Sequence, residues 1–422
     1  MIVFLASFIG LLLIGAPIAV AIGAGAAAGC LNLGYPFMVV GQKMVTGIDS
    51  YLLIAVPLFI FAGNLMNVGK ITTKIFDFAQ ALVGWIPGGL GHANVVASVI
   101  FAGMSGSAAA DAGGLGTIEM QAMRENGYDD EFAASITAAS SVIGPIFPPS
   151  IPLIIYGSVA SVSVAKLFMG GVLPGLLMAL LLCIMVYIFA VKRHYERTPF
   201  SGAYLWKMFK ESILSLITPL IILAGFTTGW ITPTEASCIA AIYSLIISAL
   251  VYKTLTLKDF LNCALESAIT AANTLFIIGT STLFTYVMVK TGLSKDIANF
   301  ILGISSNKYV IMVVINLILL TLGMFIEPGA ILTLMLPVLL PIVQAMNFDL
   351  VHFGVVMVLN LMIGQVTPPF GVCLFIISDV AKLKLETLYK GILPFLIPLI
   401  LCLLMCAYIP GIVTWLPNNL IH

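Results

Sequence analysis

The chain has 422 residues, of which 61% are hydrophobic and 9% charged, with 18 basic and 18 acidic side chains and a mean hydropathy of +1.14. So little polar surface cannot cover a water-soluble globule of this length, which excludes a soluble enzyme or binding domain and places the chain in a membrane. A net charge of zero says little about partners, because distribution across the membrane matters more than the total, and no nucleic-acid partner is expected.

Apolar stretches of about 20 residues, the length a helix needs to cross hydrocarbon, recur along the chain, whereas barrel strands would show shorter alternating segments. The expected fold is an all-α polytopic membrane protein. Residues 1–24 are apolar but carry no basic leading region, and Gly15-Ala16-Pro17 lies opposite Ile231-Thr232-Pro233 in the second half. A retained helix is expected there rather than a cleaved signal peptide. Residues 70–84 are amphipathic, with Lys74 and Asp77 on their polar face, and read as a connecting arm along the interface.

Residues 93–123 are interrupted by Ser105-Gly-Ser107 and read as a re-entrant hairpin that enters and leaves on the cytoplasmic side. The polar loop Arg124 to Glu131 follows, then a crossing over 130–165 broken at Gly144 to Ser150, then a crossing over 172–191. Lys192-Arg-His-Tyr-Glu-Arg197, continued by Lys207 and Lys210, forms a basic linker expected in the cytoplasm.

The second half repeats the first. Gly103-Met104 recurs as Gly323-Met324, Gly144-x-x-x-Pro148-Pro149 as Gly364-x-x-x-Pro368-Pro369, and Gly171-x-Leu173-Pro174 as Gly391-x-Leu393-Pro394, each 220 positions on. Thr232-Pro-Thr-Glu235 fits a helix start, with Thr232 as N-cap and Glu235 closing a capping box. Residues 293–304 form a second arm, 309–346 a second hairpin broken at Glu327-Pro-Gly329, and Gly364 to Gly371 a fourth break. Pro337 and Pro341 are expected to bend the returning hairpin helix.

Two inverted repeats follow, 1–191 with hairpin 93–123 and 213–422 with hairpin 309–346, joined by a linker over 192–212. They give about ten transmembrane helices, two hairpins, and both termini outside. The basic residues agree: 13 of the 18 fall on the inside of this arrangement and 5 outside.

Helix breaks at membrane depth persist only where they face protein or a polar cavity. Each break offers free carbonyls to a cation and free amides to an anion. Ser105, Ser107 and Thr367 hydroxyls and the carbonyls around Gly144, Gly323 and Gly364 are therefore candidate sodium ligands. The alternative is that such breaks are only kinks, a reading that four symmetric breaks disfavour. Asp111 and Glu327 are the carboxylates nearest the hairpin tips; they either balance a bound cation or cap the returning helices. Lys290, on the outer flank, either attracts an anion or snorkels.

Rival classes find less support. His92, His194, His352 and His422 form no catalytic constellation, no Gly-rich nucleotide loop with its lysine occurs, and the seven cysteines suggest neither disulfides nor zinc, so no enzyme and no cofactor are expected. A purely structural anchor would leave the breaks unexplained.

At Ser105-Gly-Ser-Ala-Ala-Ala-Asp111, Thr232-Pro-Thr-Glu-Ala236 and Gly364-x-x-Thr-Pro-Pro-x-Gly371 the chain resembles the large membrane (DctM-type) subunit of the tripartite ATP-independent periplasmic (TRAP) transporters. The resemblance covers essentially the whole length. It implies an elevator architecture of the ion-transporter superfamily, in which a mobile domain carrying both hairpins slides against a scaffold in a bacterial inner membrane. It also implies sodium-coupled uptake of small organic anions, with sialic acid or a C4-dicarboxylate as leading candidates. One sodium site would draw on Ser105, Ser107, Gly144 and Pro148, and another on Gly323, Glu327, Gly364 and Thr367. Substrate would lie between the hairpin tips, with Ser107, Asp111, Ser150, Lys290 and Pro369 as candidate contacts. Family members commonly have aspartate where this chain has Glu327. The resemblance further implies a small four-helix membrane subunit, expected as a separate chain, and a periplasmic substrate-binding protein. The alternative is a symporter or sodium/proton antiporter of the same fold that needs no binding protein.

Overall fold

Helix accounts for almost every segment of the computed structural model, which describes residues 2–195, 197–228 and 230–421, without the side chains of 226–228. In chain order the first helices are α1 Ile2–Leu13, α2 Ile18–Asn32, α3 Met38–Ile48, α4 Ala55–Val68 and α5 Ile71–Val83. Next come α6 Gly89–Ser105, the single turn α7 Ala108–Ala110, a π-helical turn Asp111–Leu115, α8 Gly116–Glu125, α9 Asp130–Ser141, α10 Ile151–Ala160 and α11 Val164–Arg193. The second half has α12 Gly202–Thr228, α13 Pro233–Ile246, α14 Leu257–Lys290, α15 Leu293–Ile304, α16 Lys308–Phe325 and α17 Pro328–Ala345. It closes with α18 Leu350–Gly364, α19 Val372–Ala381, α20 Leu385–Tyr408 and α21 Gly411–Leu420.

Among the described residues eight helical stretches are long and apolar enough to cross a membrane, and six shorter apolar helices accompany them. The sequence suggested about ten crossings. The counts differ for a physical reason: breaks cut helices into pieces too short to span, and four of the six short ones (α6, α10, α18 and α19) flank a break. The arms α16 and α17 of the second expected hairpin each reach 18 residues, so length alone does not separate a hairpin from a pair of crossings. The helix α17 runs unbroken through Pro337 and Pro341. Both expected arms are single helices, α5 and α15. The basic Lys207 and Lys210 lie on α12, which begins at Gly202.

Local chemistry sets the helix starts. Thr232 caps α13 by accepting from the Glu235 amide at 3.3 Å while the Glu235 carboxylate accepts from the Thr232 amide at 2.7 Å. This is the capping box read from the sequence. Thr256 and Asp259 repeat it at the head of α14. At the other end of a helix, Arg124 donates to the Ala381 carbonyl at the C-terminus of α19 and pairs with Asp130 at 2.6 Å.

The packing falls into two groups. In one, α14 runs against α2, α3 and α4, with α13 on α4 and α1 on α2. Gly25 and Gly29 permit the last contact, since a Cβ on either would come within 3.0 Å of Phe8 or Phe4. In the other group α9, α11, α18 and α20 pack together with α6 and α8 on one flank and α16 on another. Between the groups, α5 and α12 lie against α6, α4 touches α6 and α10, and α14 lies against α17. The outward face of α14 exposes Leu257, Leu261, Leu265, Ile269 and Phe276, an apolar stripe at helical spacing suited to lipid.

Candidate functional site

All four breaks seen in the sequence are breaks in the structure, and they are stitched in pairs. At the first, α6 ends on Ser105, Gly106 turns through φ +60°, and Ser107 returns to extended backbone, its hydroxyl accepting from the Ala110 amide at 3.3 Å. Gly106 has a second reason to be glycine: a Cβ there would sit 2.6 Å from the Pro149 carbonyl oxygen. At the second break α9 gives way to successive tight turns through Gly144, then to Pro148-Pro149, whose peptide is cis. Ser150 caps α10 by accepting from the Leu153 amide at 3.2 Å and donates to the Pro145 carbonyl. The Ile151 amide donates to the Gly106 carbonyl at 3.5 Å, joining the first break to the second.

The other pair follows the same plan. Phe325 ends α16, Ile326 and Glu327 are extended, and Pro328 opens α17. Past Gly364 the chain turns through Thr367 and the cis Pro368-Pro369 to Gly371, φ +54°, which opens α19. The Gly371 amide donates to the Met324 carbonyl at 3.0 Å. Ile151 and Gly371, the two donors, are 220 positions apart. Gly323 and Gly364 pack backbone to backbone; a Cβ on Gly364 would lie 2.7 Å from Gly323 Cα.

The pairs meet at one cleft of about 180 Å³. Ser107 and Gly106 line it from the first break, Pro145 from within the second and Pro152 from just past it, Glu327 and Gly329 from the third, and Gln365 from the fourth. Thr270 and Thr274 of α14 close the opposite wall, so the cleft lies where the two packing groups face each other. Its polar atoms are hydroxyls, an amide, backbone groups and one carboxylate; among the described residues no lysine, arginine or histidine lines it.

The expected site residues do not all reach the cleft. Ser107 and Glu327 line the cleft. Ser105, Gly144, Pro148, Ser150, Gly323 and Gly364 are buried in the stitched breaks behind it. The Ser105 hydroxyl has no hydrogen-bond partner, whereas that of Thr367 donates to the Ile363 carbonyl at 2.7 Å and keeps its lone pairs. Pro369 is exposed, its carbonyl accepting from Tyr389. Lys290 lies on the exposed end of α14 with its ammonium 5.7 Å from the Tyr286 ring centroid, away from the cleft. Glu327 occupies the N-cap position of α17 but makes no side-chain cap bond, and the helix after the first break is capped by Ser107 rather than Asp111.

Asp111 sits deeper, 1% exposed, accepting from the Ser98 hydroxyl at 3.4 Å. Around it runs a buried polar stripe that sequence reasoning missed. Asn94 donates to Glu119 Oε2 at 2.6 Å and to Thr137 Oγ1 at 2.8 Å, and accepts from Ser140 at 2.6 Å. The signal was available: Asn94 and Ser98 are four apart on α6, and Thr137, Ser140 and Ser141 share one face of α9. A smaller counterpart joins Asn360 to the Asn316 side chain at 2.9 Å between α18 and α16.

Residues 5–412 match the family described as tripartite ATP-independent periplasmic transporter, DctM component. The chain belongs to the DctM family. It is thus a transporter permease, not an enzyme, and a multi-pass protein of the bacterial inner membrane. It is 45% identical over 378 residues to the sialic acid TRAP transporter large permease protein SiaM of Vibrio cholerae, covering 89% of this chain and 88% of that one. It is 46% identical over 382 residues to the sialic acid TRAP transporter permease protein SiaT of Haemophilus influenzae, covering 90% of this chain but 62% of that longer protein. The C4-dicarboxylate TRAP transporter large permease protein DctM of Vibrio cholerae is more distant, 34% identical over 438 residues, 98% of this chain and 96% of that one. Among solved structures the Alcanivorax borkumensis YdaH transporter superposes with a TM-score of 0.66 over 90% of each chain at 12% identity, a likeness of fold.

Proposed function

We propose that this DctM-family chain is the large permease subunit of a sodium-coupled importer of small carboxylates, with sialic acid as the first substrate to test. The observation that carries the reading is the convergence of all four helix breaks on one cleft. A carboxylate entering a cleft that has no basic side chain, and that already holds Glu327, needs bound cations to balance it. One sodium ion is assigned to Ser105, Ser107 and the turn from Gly144 through Pro148, another to Gly323, Glu327, Gly364 and Thr367, all hard oxygen donors. The substrate lies between Ser107 and Glu327, with the amides of the stitched breaks available to its carboxylate. Sialic acid is preferred to a C4-dicarboxylate because the relatives named for sialic acid share 45% and 46% of aligned residues, against 34% for the dicarboxylate permease.

The finer architecture belongs to the same reading. Two inverted repeats, 1–191 and 213–422, each carry a re-entrant hairpin, and the linker over 192–212 is cytoplasmic. The packing group holding the breaks slides as an elevator against the group built on α14. A small four-helix membrane subunit and a periplasmic binding protein complete the system.

The test is uptake of radiolabelled sialic acid into proteoliposomes holding this chain and its small membrane subunit, under an inward sodium gradient, with and without the binding protein. Uptake that requires both the gradient and the binding protein is expected. Uptake indifferent to sodium would overturn the coupling, and sodium-driven uptake without the binding protein would make the chain an independent symporter.

A further inference from the structure

Two buried carboxylates, Asp111 and Glu119, lie in the stripe behind the first break, 1% and 0% exposed. They are eight residues apart, which would set them about 80° apart around a regular helix. The π-helical turn Asp111–Leu115 absorbs one residue of that spacing, so both face α6, where Ser98 meets Asp111 and Asn94 meets Glu119. Glu119 has one hydrogen-bond donor, Asn94, on Oε2. Its Oε1 is buried without a partner, as is Asp111 Oδ2.

An ionised carboxylate in such a place requires a cation or several donors. The groups facing the pair supply neither. From α6 and α9 they are Asn94, Ser98, Thr137, Ser140 and Ser141, and from α19 the Cys373 thiol beside Asp111 and Ser141. His92 is two residues from Asn94 and points from another side of α6. The cations on neighbouring helices are engaged elsewhere: Lys74 by Glu211, Arg124 by Asp130 and Arg193 by Asp129. Among the described residues of the second half, the neutral Asn316–Asn360 pair joins α16 to α18.

We propose that Glu119 binds a proton, taken from water, and that the neutral acid makes the Asn94–Glu119–Thr137 network an uncharged clasp holding α6, α8 and α9 behind the first break. Loss of that proton at alkaline pH places a charge where no cation compensates it and loosens the clasp. Glu119 is a positioning residue: it touches neither the cleft nor the stitched backbone. The proposal rests on the chain's own packing and adds to the function proposed above a proton site in the first half only.

The experiment is infrared titration of the permease with its small membrane subunit in lipid, paired with uptake across pH. A protonated-carboxyl C=O band at neutral pH is expected, with a component that is lost in Glu119→Gln and retained in Asp111→Asn. Glu119→Gln, which mimics the neutral acid, is expected to hold uptake at neutral pH within about twofold and to remove the alkaline fall expected of the parent. Absence of the band, its loss in Asp111→Asn alone, or an alkaline fall unchanged in Glu119→Gln would overturn the proposal. So would a rise of about tenfold in the sodium concentration for half-maximal uptake in Glu119→Gln, which would place a cation at the pair. The infrared readout needs no substrate, so a wrong assignment of the transported acid leaves it intact.

Discussion

The first and second break pairs use the same sequence signature to reach different partners. In both, an amide at the head of the returning helix, Ile151 or Gly371, reaches back to a carbonyl of the facing break, Gly106 or Met324. The matched glycines then diverge. Gly323 meets Gly364 backbone to backbone inside its own pair, whereas a Cβ on Gly103 would strike Pro219 of α12, in a different helix group. The polar clasps diverge too: three side chains and a carboxyl group in the first half, one asparagine pair in the second. A duplicated backbone device has therefore kept its stitching while its surroundings specialised, the first half toward a buried carboxyl network and the second toward close backbone contact.

The contrast breaks most visibly at the glycines. Gly364→Ala would push a methyl to 2.7 Å from Gly323, backbone that cannot swing away, and is expected to cost on the order of 3 kcal/mol with uptake abolished. The matched Gly144→Ala meets nothing closer than the Ser141 carbonyl at 3.3 Å and is expected to cost about 1 kcal/mol or less. Thermal unfolding of the two purified variants decides it; equal losses would mean that the halves are packed alike.

The clasps come next. Asn94→Ala strips partners from Glu119, Thr137 and Ser140 together and is expected to destabilise by about 2–3 kcal/mol. Asn316→Ala leaves Asn360 its bond to the residue-316 carbonyl and is expected to cost about 1 kcal/mol. Chemical denaturation of both in one lipid background sharpens the difference into a ratio.

The cleft residues carry a smaller stability effect and a larger functional one. Ser107→Ala removes an N-cap worth about 1 kcal/mol, while Glu327→Gln removes no cap bond and is expected to leave stability within about 0.5 kcal/mol. Both are expected to raise the sodium concentration needed for half-maximal uptake, Glu327→Gln the more, because it takes the only carboxylate from the cleft lining. A normal sodium dependence in Glu327→Gln would remove that residue from the second cation site.

What could be read without a structure was punctuation. Gly and Pro at a repeated offset marked all four breaks, and Thr232-Pro-Thr-Glu235 marked a helix start correctly. The stripe of Asn94, Glu119 and Thr137 carries no such punctuation, and its members meet only because α6, α8 and α9 share a seam whose register depends on a π-helical turn. No periodicity rule reports that turn. Ser150, a candidate contact by the resemblance, has its hydroxyl at the second break, where it caps α10 and donates to the Pro145 carbonyl. Lys290, at the exposed end of α14, lies away from the cleft, and its charge reaches Tyr286 rather than the lining.

The smallest effects come from a matched pair of aspartates 220 positions apart. Asp349 caps α18 by accepting from the His352 amide at 2.7 Å, and Asp349→Ala is expected to cost about 1 kcal/mol regardless of salt. Asp129 precedes α9 in the same way but makes no cap bond; it accepts from Tyr195 at 2.7 Å and pairs with Arg193 at 2.6 Å, half exposed. The Tyr195 hydrogen bond first, and the Arg193 guanidinium with it, hold the Asp129 carboxyl below its ordinary range. A depressed folded value means that the contribution is complete above the unfolded value near pH 4 and is lost as pH falls through the folded one. Asp129→Asn is therefore expected to cost less than about 1 kcal/mol at neutral pH, to cost less still in high salt, and to converge with the parent below about pH 3. Stability curves across pH and salt test this, and a salt-independent loss at Asp129 would mean that it caps its helix as Asp349 does.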